Sequence, residues 1–152
     1  MKFIFIIALL CLAVSVNAQK MTYQGFPSLV WPKLYDIEYT KGSDSNGVYE
    51  KPVFTNEVRK LEGQVVTLPG YLVPFDGGLT SRKFMLSSLP LNACFFCGVG
   101  GPETVIEVKT VENVRYTEKP VELSGVLRLN HSDPDGMVYT LEQAQFLGEI
   151  EF

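Results

Sequence analysis

The chain has 152 residues, 46% of them hydrophobic and 20% charged, with a formal net charge of −4. That length suits a single domain with one core. An acidic balance excludes the clustered Lys and Arg whose counterion release drives nucleic-acid binding.

The first 18 residues carry one basic side chain, Lys2, then an apolar run from Phe3 to Val14, then Val16-Asn17-Ala18. This is the basic, apolar and small-residue sequence of a cleavable secretory signal. The run is short of the ~20 apolar residues a spanning helix needs, so no stable membrane span is expected after cleavage. Cys11 lies inside that run behind Leu9-Leu10, which is not the setting of a lipid-attachment cysteine. The predicted mature chain begins at Gln19 and keeps 12 basic and 17 acidic residues, because only Lys2 is lost. The compartment predicted is the periplasm or the exterior.

Residues 19–62 are predicted to form an irregular N-terminal extension packed on the main domain. Pro27, Pro32 and Pro52 interrupt it, and the polar stretch 41–47 reads as a surface loop. Trp31, Leu34, Tyr35, Ile37 and Tyr39 supply the apolar face that would dock it. Within residues 54–61, Phe54, Val58 and Leu61 recur at helical spacing, predicting one short helix that Gly63 stops.

From residue 63 to 152 the period changes to two. Val66, Leu68, Gly70 and Leu72 share one face of a strand. A shorter strand surrounds Phe84 and Leu86, and residues 104–111 form a third, rich in β-branched side chains. Val121, Leu123, Gly125, Leu127 and Leu129 give the cleanest alternation of the chain. A fifth strand covers 138–141 and resumes through Ala144, Phe146 and Ile150 after the turn 132–136. Two of these strands have a central glycine, the mark of a bulge or corner. The prediction is a mostly β fold, a small five-stranded barrel of the oligonucleotide/oligosaccharide-binding (OB) type. The segment 112–120 is too short for the helix usually found between the third and fourth strands.

Cleavage leaves two cysteines, Cys94 and Cys97, in the run Cys-Phe-Phe-Cys. Thiolates at this spacing can bind one soft metal ion, zinc or another thiophilic metal, or close a purely structural disulfide, which would make the chain an interaction module. Thiol–disulfide exchange, with Cys94 as nucleophile and Cys97 as resolving thiol, is the third reading. The residues 98–102 (GVGGP) that follow do not continue the helix such enzymes use to activate the first cysteine. A metal site needs further ligands, for which Glu103 and His131 are the candidates, with Asp133 and Asp135 beyond. His131 also reads as part of a polar turn, and the Asp133–Asp135 pair lacks the remaining carboxylates of an EF-hand. With one histidine and no Gly-x-Ser-x-Gly elbow, hydrolytic catalysis lacks its parts, so a non-enzymatic role is expected.

The run 61–74 (LEGQVVTLPGYLVP), a strand ending at Leu86, the Ala-Cys-Phe-Phe-Cys cluster at 93–97 and the strand 104–111 together resemble an uncharacterised family of exported bacterial proteins, a domain of unknown function. The resemblance extends over residues 31–150. It implies a periplasmic accessory or binding protein, encoded near ABC-type transporter components, with an envelope transporter component as partner and a role in metal supply. Two features differ from that family's pattern: no lipid-attachment cysteine is present, and glycines follow Cys97 where prolines and a histidine are expected.

Overall fold

The computed structural model describes residues 26–45, 47–75 and 78–151. The signal reading of residues 1–18 lies outside them. Five strands close a barrel: β3 (Val65–Pro74), β4 (Thr80–Ser87), β5 (Val105–Arg115), β6 (Val121–Leu129) and β7 (Tyr139–Glu149). Their order around the barrel is β3-β4-β5-β7-β6, with β6 returning to β3. All pairs are antiparallel except β5 with β7, which run parallel. This is the OB-type connectivity anticipated from the strand count. Among the described residues no helix is long and apolar enough to cross a membrane.

The alternation read from the sequence is the alternation that fills the barrel. Val66, Leu68 and Leu72 of β3 and Val121, Leu123, Leu127 and Leu129 of β6 are buried, facing Ile106, Val108 and Leu141 in one core. The two central glycines sit where the strands bend. At Gly70, β3 changes partner from β6 to β4, and a Cβ there would come within 2.6 Å of the Ser87 carbonyl oxygen. At Gly125 the register of β6 on β7 shifts, and a Cβ would lie 2.8 Å from the Glu142 carbonyl oxygen. Only glycine permits these approaches, which let a short sheet coil into a closed shell.

The expected break in the fifth strand is a bulge instead: β7 is continuous, and Gln143, at φ 50°, absorbs the extra residue. The burial phase slips with it, from Tyr139 and Leu141 to Ala144.

The N-terminal extension is more regular than its sequence suggests. After a single helical turn, α1 (Trp31–Leu34), strands β1 (Ile37–Asp44) and β2 (Gly47–Phe54) pair as an antiparallel hairpin. Residues 41–44, expected in a loop, belong to β1. β2 is exposed at most positions and leaves no apolar alternation to read, while Ile37 and Tyr39 of β1 pack against the core. The predicted helix at 54–61 is one turn, α2 (Asn56–Arg59), opened by Thr55, whose side chain accepts from the Val58 amide at 3.4 Å.

This extension is fastened to the barrel by buried contacts. Trp31 is 2% exposed, and its indole N–H donates to the Pro69 carbonyl at 2.7 Å. The Tyr139 hydroxyl donates to the Leu34 carbonyl at 2.8 Å. Phe54 and Val58 join the same core cluster as the barrel interior.

Candidate thiol site

The connection from β4 to β5 carries both cysteines. Its base is closed by polar side chains that would be costly to bury unpaired. Ser88 donates to the Thr104 carbonyl through its amide at 3.0 Å and its hydroxyl at 2.9 Å. The Ser87 hydroxyl donates to the Leu89 carbonyl at 2.8 Å and accepts from the Leu89 amide at 3.1 Å. The Thr104 hydroxyl donates to the Gly101 carbonyl at 2.7 Å. Ser88 ties the two ends of the loop together, while Ser87 and Thr104 each fix the turn at their own end. Serine and threonine are common in loops of every kind, so nothing in the sequence singles these three out.

Within the loop, three 3-10 turns follow one another, Leu91–Ala93, Phe95–Cys97 and Pro102–Thr104. Cys94 precedes the middle turn and Cys97 ends it, with the Cys97 amide donating to the Cys94 carbonyl at 3.0 Å. A 3-10 turn eclipses side chains three residues apart, so the spacing itself sets both sulfurs on one side. Gly98, left-handed at φ 78°, ends the turn. Gly100 lets the chain double back: a Cβ there would lie 2.6 Å from the Thr104 hydroxyl and 2.7 Å from Leu89 Cδ1.

The two sulfurs are 3.9 Å apart, and both are free thiols rather than a disulfide. Cys94 is buried at 2% exposure, whereas Cys97 is exposed and donates to the Leu91 carbonyl at 2.9 Å. The hydrogen bond with Cys94, then desolvation, pushes the Cys97 thiol above the ordinary thiol range. The same loop carries exposed apolar side chains, Leu91, Phe96 and Val99, and Phe95 packs edge-on against Phe96 with ring centroids 5.4 Å apart.

Of the four residues put forward as a metal set, the structure brings together Cys94 and Cys97. Glu103 is turned to the hairpin, where its carboxylate accepts from the Tyr39 hydroxyl at 3.1 Å. Burial first and this carboxylate second hold the Tyr39 phenol far above its usual range. His131 lies edge-on to Phe54, ring centroids 5.2 Å apart, in the exposed turn before β7. In that turn Asn130 accepts from the amides of Ser132 and Asp133, and Asp133 accepts from the Asp135 amide. Among the described residues no group of three or more His, Cys, Asp and Glu comes together as metal ligands. Glu103 and His131 therefore do not complete the thiol site; phenol and phenyl rings hold them elsewhere.

The site is thus a dithiol loop on a closed five-stranded barrel. No described protein family and no solved structure matches the chain. The chain is 29% identical to a 4-hydroxy-tetrahydrodipicolinate synthase of Limosilactobacillus reuteri over 136 residues, which take in 82% of this chain. The alignment spans 43% of that synthase's length.

Proposed function

We propose that this chain is an exported, non-enzymatic binding protein that takes up a thiophilic metal ion at Cys94 and Cys97, as an accessory to an envelope transport system. The observation that carries the metal reading is the 3.9 Å separation of two free thiols on a loop braced by Ser87, Ser88 and Thr104. Two thiolates on one zinc-sized ion, at bonds of ~2.3 Å and tetrahedral angles, stand ~3.8 Å apart. Little movement is needed to seat an ion. The signal-like start and the resemblance to exported proteins support the compartment and the transport role.

The order of exposure opposes the exchange reading. An exchange enzyme presents an acidic, accessible attacking thiolate, whereas here Cys94 is buried and the accessible Cys97 has its thiol raised. The activity named for the synthase relative is not adopted, since the alignment leaves out more than half of that protein.

The test is the metal content of protein purified without chelator, compared with Cys94→Ser. Metal that falls to background in the variant supports the reading; equal content in both sinks it. For the exchange rival, a measured potential below roughly −300 mV, the range of inert disulfides, removes it.

A further inference from the structure

We infer that the Cys94–Cys97 pair prefers a soft monovalent ion with a filled d shell, cuprous copper or silver, over zinc, and holds it with one coordination position open to solvent. This rests on the reading that the pair binds metal at all. The first ground is the number of donors. Zinc sites in proteins use four ligands, or three with a water, and among the described residues no His, Asp or Glu joins the two sulfurs. Zinc would keep half its shell as labile water. Cuprous and silver ions form strong complexes with two or three thiolates and gain little from oxygen donors.

The second ground is geometry. Sulfurs 3.9 Å apart can share one ion bonded to each at ~2.3 Å, and Cys97 lies open to solvent. The third ground is the chemistry of the surroundings. No charged side chain occurs between residues 84 and 102, and the nearest carboxylate along the chain, Glu103, accepts from Tyr39. The residues that flank Cys97 in the chain, Phe96, Gly98 and Val99, carry no hard or imidazole donor.

Binding forms two metal–sulfur bonds and releases the two thiol protons to solvent, with no change of oxidation state.

The experiment is a pair of competition titrations on the reduced full chain. One uses copper kept cuprous by ascorbate against a chromogenic cuprous chelator; the other uses zinc against a chromogenic zinc chelator. The expected result is one cuprous ion per chain, a monomer by sedimentation, and zinc weaker by on the order of 100-fold. Cys97→Ser, exposed and structurally mild, and Cys94→Ser should each abolish tight cuprous binding. Zinc bound as tightly as copper, or one ion shared by two chains, overturns the preference while leaving metal binding intact. Failure of both ions to bind overturns the metal reading together with it.

Discussion

The barrel strands and the β4–β5 loop are held by opposite means. In the barrel, apolar side chains at every second position fill a closed interior, and the fully buried Leu68, Leu123, Leu127 and Leu141 dominate it. In the loop, buried hydroxyls of Ser87, Ser88 and Thr104 hold main-chain carbonyls, and the side chains of Leu91, Phe96 and Val99 face outward. The contrast teaches where tolerance lies. A scaffold that draws its stability from nonpolar burial can carry a loop whose own side chains contribute little to folding and remain available for chemistry.

The sharpest way to break that division is to damage the core. Leu123→Ala deletes a fully buried side chain and should cost about 2–5 kcal/mol in denaturant melts. The folded fraction should still react at Cys97 with a thiol reagent at the parent rate. A changed rate would show that barrel packing and loop geometry are one unit.

Gly125→Ala tests the corner rather than the filling. The added Cβ meets the Glu142 carbonyl oxygen and Leu141 Cγ at 2.8 and 2.9 Å, so about 1–3 kcal/mol should be lost to overpacking. A variant as stable as the parent would mean that β6 and β7 move apart freely, and that closure does not depend on this residue.

How much of this could be read in advance follows the same division. Val121 to Leu129 announced β6 because one face of it meets a core, and the glycines at 70 and 125 announced the bends because no other residue fits there. Strand β2 gave no such signal, since it is exposed at most positions and has no period to show, whereas Ile37 and Tyr39 of β1 alternate and pack on the core. At the site, the i to i+3 spacing of Cys94 and Cys97 was informative because turn geometry alone sets the sulfurs side by side. Glu103 and His131 were misleading for a related reason: their partners, Tyr39 and Phe54, come from a distant hairpin, and no local spacing encodes that contact. Ser87, Ser88 and Thr104 were invisible because a bracing hydroxyl and a solvated one look alike in sequence.

The seam between barrel and extension offers a pH-resolved test. Tyr139 has its phenol held well above the ordinary 10.0, by burial first and by the charge of Glu103 second. A group with a raised folded value stabilises fully below the unfolded value and loses that contribution as pH climbs toward the folded one. Stability should therefore be flat in this respect up to about pH 10 and fall above it. Tyr139→Phe leaves the Leu34 carbonyl without its donor, costing about 1–2 kcal/mol at neutral pH. Its stability should then decline less steeply in alkali than the parent's. Equal slopes in the two proteins would mean that Tyr139 ionises in place, and that the seam is wetter than its burial implies.

The smallest expected change in stability, and the most informative, is that of Cys97→Ser. The side chain is exposed, it bonds the Leu91 carbonyl and the Cys94 thiol, and a serine hydroxyl can keep the first of these bonds. Substitutions of this kind stay within about 0.5 kcal/mol. If the loop is a functional graft on an independent shell, the melting curve should barely move while cuprous binding disappears. Should Cys97→Ser instead unfold the protein as Leu123→Ala does, the thiol pair would be a structural clasp, and the separation of scaffold from site would fail where it matters most.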